Sequence, residues 1–360
     1  MDVAVIGGGL AGLAAGSELR RHGLSVTLYE ATDRIGGQID TVRNGAYVVE
    51  LGADSVVTLD PAMREFLATI DLTDRLVSQS DLPSLALEGQ KLTPLPKGAA
   101  AAMLGLGGDR SLRGKGVVAF KTGMAELNER LVCQLGPGNV ELGMSVTRIA
   151  RQGDGWSICS SHGEIASARA VVVATPPPVT AKLINTLDSA FDGMFPRVPA
   201  LSSVAVSLAF PRIRVGHPLD ASGYVVPCAA RAAQGFKACT FTSSKFPGRC
   251  PVDHVLLRAF YRPGTDFPIG GNDTEWIDRA TAELRCPLEI AGPPTRGWVS
   301  RWPDAIYNVD DKLGEQMSDV SGRVRELGTI ELAGSGVDGV GVHRALNSGC
   351  AAAHELVDRL

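Results

Sequence analysis

The stretch Val3–Ala31, VAVIGGGLAGLAAGSELRRHGLSVTLYEA, decides the fold. VAVI is an apolar run of the kind that forms a strand buried on both faces. Three glycines follow, and then LAGLAAGSELRRHG, whose apolar residues recur at helical spacing until Gly23 ends the helix. SVTLYE reads as a second strand. A strand, turn, helix and strand within about 30 residues is the context in which a glycine pattern carries meaning. Gly7 permits the tight turn, Gly9 lets the backbone approach a pyrophosphate, and Gly12 lets helix and strand pack closely. The helix N-terminus offers unpaired N–H groups to phosphate. Glu30, at the end of the second strand, is placed to accept hydrogen bonds from a ribose 2′-hydroxyl and to repel a 2′-phosphate. These residues predict a Rossmann-like dinucleotide site and serve NAD and FAD alike.

Working outward, the chain has 360 residues, enough for two domains. Its formal net charge of -4 gives no general attraction to phosphate backbones, so nucleic acid is not an expected partner. The seven cysteines lack a C-x-x-C pair, and their odd number argues against a complete disulfide framework, which makes a reducing cytoplasm the expected compartment. The first apolar run is broken at once by glycines, unlike a signal peptide. AAAAMLGLG, beginning at Ala99, is far shorter than the roughly 20 apolar residues of a membrane span. A soluble protein without stable membrane insertion is expected.

After Glu30 comes ATDRIGGQIDTVRNGAYVVELGADSV, in which Arg34, Gly36 and Gly37 form an R-x-G-G turn. This arrangement resembles the extended dinucleotide-binding motif of the FAD-dependent amine oxidase superfamily. The resemblance implies that Arg34 and the Gly36–Gly37 backbone lie along FAD, with the flavin end near ELGADS. ARAVVVATPPPVTAKLI, with a strand at Ala170–Ala174 ended by Thr175 and three prolines, is similar to the segment by which that superfamily returns to its FAD domain. IELAGSGVDGVGVHRALNSGCAAAHELVDRL reads as a strand, a Gly-rich loop and a terminal helix starting near Val342. The N-terminus of that helix, at Gly341 and Val342, would aim its positive end at the pyrimidine edge of a flavin. Where the superfamily often has an aspartate for the ribityl chain, this chain has Gly334–Ser335, and Ser335 can still hydrogen-bond a ribityl hydroxyl.

Within the superfamily the sequence is most similar to the oxygen-dependent protoporphyrinogen and coproporphyrinogen oxidases. VVAFKTGMAELNERLV, the turn SSKFPGR at Ser243–Arg249, RWPDAI at Arg301–Ile306 and GVGV at Gly339–Val342 carry that resemblance in the right order. Two departures accompany it. After LEGQKLTPLPKG the family continues through a long, mostly helical segment, whereas this chain passes almost directly to VVAFKTG. The family's continuation after R-W-x-x-A is replaced by IYNVDDKLGEQ. Less helical wall means less apolar surface around a large macrocycle.

The expected fold is therefore α/β: a discontinuous Rossmann-like FAD-binding domain (1–75, 115–190 and 322–360) and a mixed-sheet substrate domain (76–114 and 191–321). The substrate-domain strands are expected in SVAVSLAF, GYVVPC, ACTFTSS and HVLLRAF, with a helix over DTEWIDRATAELR. The family resemblance implies removal of a hydride from a C–H next to nitrogen or a conjugated system, with FAD as cofactor, a small-molecule substrate, and molecular oxygen taking the electrons to give H2O2. Other readings are action on a smaller specialised-metabolite amine or amide, a flavin-dependent isomerase or cyclase without net redox change, and a binding factor derived from a flavoprotein. His343 is the candidate catalytic side chain, and Asp338 is equally placed to cap the helix. Lys121, Arg249 and Arg301 are candidate anchors for substrate carboxylates, and Trp298 and Trp302 candidate walls of the ring pocket. His22, His162, His217, His254 and His354 show no ligand spacing, and no metal site is expected.

Overall fold

Every residue of the strand Val3–Ile6 is buried, because the strand lies in the middle of a five-stranded parallel sheet. The computed structural model describes residues 1–104, 116–227, 235–264, 268–307, 309–335, 337 and 339–360. The sheet runs in the order Val140–Glu141, Val26–Tyr29, Val3–Ile6, Ala170–Val173 and Ile330–Leu332. Its strands come from the beginning, middle and end of the chain, as a discontinuous nucleotide-binding unit requires.

Alternation along each strand sorts residues onto two faces. Val3, Val5, Leu28 and Val172 face the helices Leu10–Arg21, Ala125–Leu135 and Val342–Val357, which contribute Leu13, Leu131 and Leu346 to one core. Ala4, Ile6, Val171 and Val173 face the other way, towards Ile149, Trp156 and Ile158 of a three-stranded antiparallel meander (Val146–Gln152, Gly155–Ser160, Gly163–Ala168). The strand Ala170–Val173 stops before the prolines, and Pro177 opens the helix Pro177–Asn185, where its missing N–H costs no hydrogen bond.

A seven-stranded mixed sheet forms the second layer system. Its order is Arg296–Tyr307, Ala200–Pro211, His254–Tyr261, Phe236–Phe241, Gly223–Val225, Ser84–Glu88 and Lys91–Leu95, with one parallel pair between Gly223–Val225 and Ser84–Ala86. The helix Asp273–Arg285 starts at a capping box between Asn272 and Glu275 and lays Trp276, Ala280 and Leu284 onto this sheet. One expected strand ends early: in ACTFTSS, Thr242–Lys245 is a helical turn. The Ser243 hydroxyl accepts the Leu256 N–H at 3.1 Å in place of a ladder carbonyl, and the chain turns away. Cys228, the last residue expected in the GYVVPC strand, and Asp338 lie outside the described residues.

The two sheets meet through the segment Gln38–Asp54. Arg258 donates to the carbonyls of Leu51 (3.0 Å) and Gly52 (2.8 Å), and Trp302 Nε1 donates to Leu51 O at 2.7 Å. Gly52 is required there, since a Cβ would lie 1.8 Å from the Gln38 carbonyl oxygen. Among the described residues no helix is long and apolar enough to cross a membrane.

Candidate functional site: two glycine turns and a buried charge cluster

Gly7 has φ +108°, and a Cβ on Gly12 would sit 1.9 Å from the Gly7 carbonyl oxygen. Both glycines are thus needed by the protein's own backbone. Gly9 differs: its φ is -70°, open to any residue, and a Cβ there would meet no described atom within 4 Å. Gly9 is also the N-cap of Leu10–Arg21 and supplies no side-chain cap, so no side chain of its own occupies the first N–H groups of that helix. Space in front of uncapped helix N–H groups is what an approaching pyrophosphate uses.

The R-x-G-G turn packs directly on this loop. Gly36 N donates to Gly8 O at 2.7 Å, and a Cβ on Gly37 would lie 3.2 Å from Gly9 Cα. Gly36 has φ +99° and lies against Asn128 of the helix Ala125–Leu135, whose amide donates to Ile39 O at 3.3 Å. Arg34 holds the turn from outside, donating to Gly37 O at 2.7 Å, with its guanidinium 5.6 Å from the centre of the Trp302 ring. Glu30 accepts the Gly8 N–H at 2.7 Å on one oxygen and the Thr32 N–H and hydroxyl at 2.8 Å on the other. The oxygen that accepts Gly8 keeps a lone pair for a ribose hydroxyl, while the other is filled by Thr32. Gly7, Gly9, Gly12, Glu30, Arg34, Gly36 and Gly37 are therefore one construction.

The C-terminal segment closes on the same helix. A Cβ on Gly349 would lie 2.1 Å from Ala11 O, so the helices Leu10–Arg21 and Val342–Val357 cross at backbone contact. Gly334 N donates to Ser348 Oγ at 3.0 Å, which seats the loop carrying Ser335. Gly341, with φ +124°, is the N-cap of the last helix and makes no side-chain cap bond. Val342 and Ala345 pack in the same core as Ala53 and Val56, next to ELGADS. His343 lies half-buried in the first turn of that helix.

Behind ELGADS lies a charge cluster. Glu50, with 2% of its side chain exposed, accepts Thr41 Oγ1 at 2.6 Å and Met124 N at 2.9 Å. Arg249, with 1% of its side chain exposed, approaches Glu50 to 3.7 Å, and its three nitrogens find no hydrogen-bond partner among the described residues. Asp54 pairs with Lys245 at 2.8 Å, and Arg258 completes the group. Lys245, Arg249 and Arg258 face Glu50 and Asp54, and Glu126 acts on Arg249 as a third carboxylate. Burial pushes the Glu50 carboxyl up and the Arg249 and Arg258 guanidiniums down, each partly offset by the opposite charges nearby. Burial would raise Asp54 as well, but Lys245 and Arg258 outweigh it and hold the carboxyl well below the usual range.

The sign of the Asp54 effect gives a test. A carboxyl depressed in the folded state contributes stability above its unfolded pKa and loses it as pH falls towards the folded value. Asp54→Asn should therefore destabilise the protein at pH 7 and flatten the acid limb of its stability profile below about pH 4. Urea melts of both proteins from pH 7 to pH 3 measure this, and parallel acid limbs would refute it.

The other predicted residues lie elsewhere in the fold. Lys121 is exposed at the end of the strand Val117–Phe120. Arg301 is committed to Asp273 at 2.7 Å and to Gly271 O at 3.0 Å. Trp298 packs 5.6 Å from Tyr47. Sequence reading passed over Asn128 and Arg258, and it gave Glu50 in ELGADS and Lys245 in SSKFPGR no role of their own. It also set aside His22 and His354, which meet on Glu18.

Comparison with known proteins places this geometry. The family profile described as flavin containing amine oxidoreductase matches residues 10–106 and 84–357. The chain is 22% identical to the coproporphyrinogen III oxidase of Bacillus subtilis (strain 168) over an alignment of 474 positions covering 99% of this chain and 98% of the relative. More than a hundred of those positions have no counterpart in the 360-residue chain. It is 24% identical to the coproporphyrinogen III oxidase of Mycobacterium tuberculosis (strain H37Rv), over 99% of this chain and 97% of that one. Among solved structures, one from Exiguobacterium sp. 255-15, provisionally described as a protoporphyrinogen oxidase, superposes with a TM-score of 0.83 at 21% identity, covering 99% of this chain and 98% of that one. The cyclohexylamine oxidase of Brevibacterium oxydans IH-35A gives a TM-score of 0.73 at 16% identity, covering 99% and 98%. Both structural likenesses establish the fold.

Proposed function

Because this chain belongs to the flavin-containing amine oxidoreductases, we propose that it is an FAD-dependent oxidase of porphyrinogen-type substrates, with molecular oxygen as the final acceptor and H2O2 as the product. The observation that carries the cofactor is the open face at Gly9, where packing makes no demand for glycine and a bound pyrophosphate would. When bound, the flavin supplies the redox chemistry, taking two electrons and a proton from a C–H carbon next to nitrogen or a conjugated system.

The chain's own residues bind and orient. The N-terminus of Leu10–Arg21 receives the pyrophosphate, Glu30 the adenosine ribose, and Ser335 a ribityl hydroxyl. The N-terminus of Val342–Val357, at Gly341 and Val342, favours negative charge at the pyrimidine end of the ring. His343, in that first turn, is the side chain assigned to proton handling. We assign residues 1–75, 115–190 and 322–360 to cofactor binding and the remainder to the substrate. Two relatives that match almost the whole chain are named for a porphyrinogen substrate, which supports that class. A second reading rests on the positions missing from this chain: with less wall to enclose a macrocycle, the substrate is a smaller amine or amide.

The test is porphyrin fluorescence after freshly reduced coproporphyrinogen III is added to the flavin-loaded protein, alongside an enzyme-free control. A rapid gain with matching H2O2 is expected. A flavin-loaded protein that does not exceed the control overturns the porphyrinogen reading and leaves the smaller substrate.

A further inference from the structure

At the ends remote from their N-termini, the helices Leu10–Arg21 and Val342–Val357 bring together three side chains with metal-ligating atoms. Glu18 Oε1 lies 2.7 Å from His354 Nε2 and 3.2 Å from His22 Nε2, and the three donor atoms all fall within 4.8 Å of one another. The two imidazoles stand edge to face, with centroids 5.7 Å apart. Glu18 is buried, whereas the His22 and His354 side chains are 35% and 56% exposed, so the donors open to solvent along one side.

Hydrogen bonding and dipoles account for part of this arrangement. His22 caps the first helix and His354 lies in the last turn of the other, where positive charge is favoured. They do not require both Nε2 atoms to converge on a single carboxylate oxygen. We propose that Glu18, His22 and His354 form a site for a borderline divalent cation, zinc in the first instance, that fastens the two cofactor-binding helices to each other.

Two imidazoles and a carboxylate suit zinc, whereas magnesium and calcium require mainly oxygen ligands. Zinc–nitrogen bonds of about 2.0–2.1 Å set tetrahedral ligand atoms about 3.3–3.5 Å apart; the Glu18–His22 pair at 3.2 Å is near that spacing, and the 2.7 Å Glu18–His354 hydrogen bond would have to open by about 0.6 Å to admit the ion. Glu18 and His22 are four residues apart on one helix, and His354 arrives from the other, so the ion would bridge elements more than 300 residues apart in sequence. Arg21 is the competitor, donating to both Glu18 oxygens at 2.5 and 3.0 Å from an exposed position. Cys350, one turn before His354, is not counted as a ligand, since burial, aided by Glu18, pushes its thiol up to about 12. This site is independent of the proposed reaction.

The experiment uses the flavin-loaded protein, stripped of metal with a chelator and dialysed, and titrated calorimetrically with zinc chloride. One zinc per chain at micromolar affinity or tighter is expected, with a rise in melting temperature. His22→Ala and His354→Ala should each weaken binding at least about tenfold. Arg21→Ala should tighten it, because the guanidinium no longer holds the carboxylate. The flavin spectrum should stay unchanged, and because both imidazoles hydrogen-bond the buried Glu18, each variant's zinc-induced rise is read from its own metal-free melting temperature, which keeps folding separate from binding. The inference is overturned if zinc shows no saturable binding, if the His22→Ala/His354→Ala double variant binds it as the parent does (an adventitious ion only), or if Arg21→Ala fails to tighten it.

Discussion

Replacing Gly9 with alanine should leave the protein folded and strip it of flavin. The added methyl group meets no described atom within 4 Å, and the φ of -70° suits alanine without strain. Folding stability should therefore stay within about 0.5 kcal/mol of the parent. A pyrophosphate brought to the N–H groups of the first helix would meet that methyl group, because this is the glycine whose bareness lets ligand and backbone approach. The Kd for FAD, measured by titrating flavin into the stripped protein, should rise at least about tenfold, a loss of about 1.4 kcal/mol in binding, and flavin retained through gel filtration should fall with it. Gly12→Ala is the contrasting variant. Its methyl group would be forced 1.9 Å from the Gly7 carbonyl oxygen, so it should lose melting temperature and flavin together. Equal melting temperatures for the two variants, or full flavin occupancy in Gly9→Ala, would remove the reason for placing a cofactor at this turn.

That contrast also shows what a sequence reveals. The glycine spacing, the flanking apolar runs and Glu30 lie within Val3–Ala31, so local periodicity and turn chemistry made the nucleotide-binding unit legible. The Ala170–Val173 and Ile330–Leu332 strands were legible for the same reason, as short apolar runs stopped by prolines or glycines. The difference in duty between Gly9 and Gly12 was not, because it depends on what lies beside each one in space. Thr242–Lys245 carried strand-like composition and turned helical because of a hydrogen bond to Leu256, thirteen residues on from Ser243. Glu18, His22 and His354 had no ligand spacing to read, since their meeting is made by two helices from opposite ends of the chain. Arg249 was singled out by a motif, but its counter-charge Glu50 lies about 200 residues earlier, and nothing local connects them.

The Glu50–Arg249 pair should produce the largest stability loss of any single charge removal in the protein. Glu50→Gln deletes the carboxylate nearest a guanidinium that is buried without a hydrogen bond among the described residues, leaving Arg258 with Asp54 and Arg249 with Asp54 and Glu126. Stranding a buried charge in this way costs about 3–5 kcal/mol. Arg249→Met should cost less, because Glu50 can escape its burial by taking up a proton, whereas an arginine cannot readily lose one. Its carboxyl is already raised by burial and rises further once Arg249 is gone. A carboxyl raised in the folded state is least costly below its unfolded pKa and becomes destabilising as pH climbs through the folded value. The Arg249→Met deficit should therefore shrink as pH falls from 8 towards about 4.5, the ordinary glutamate range, whereas the Glu50→Gln deficit should grow on acidification, because only the parent carries the raised carboxyl. In the double variant the two losses should fall short of their sum by about 1–3 kcal/mol, since neither charge is left without the other. Urea melts of the parent and the three variants at pH 5 and pH 8 decide the matter. Strict additivity, or an Arg249→Met deficit that grows on acidification, would mean that Arg249 is balanced by something other than Glu50.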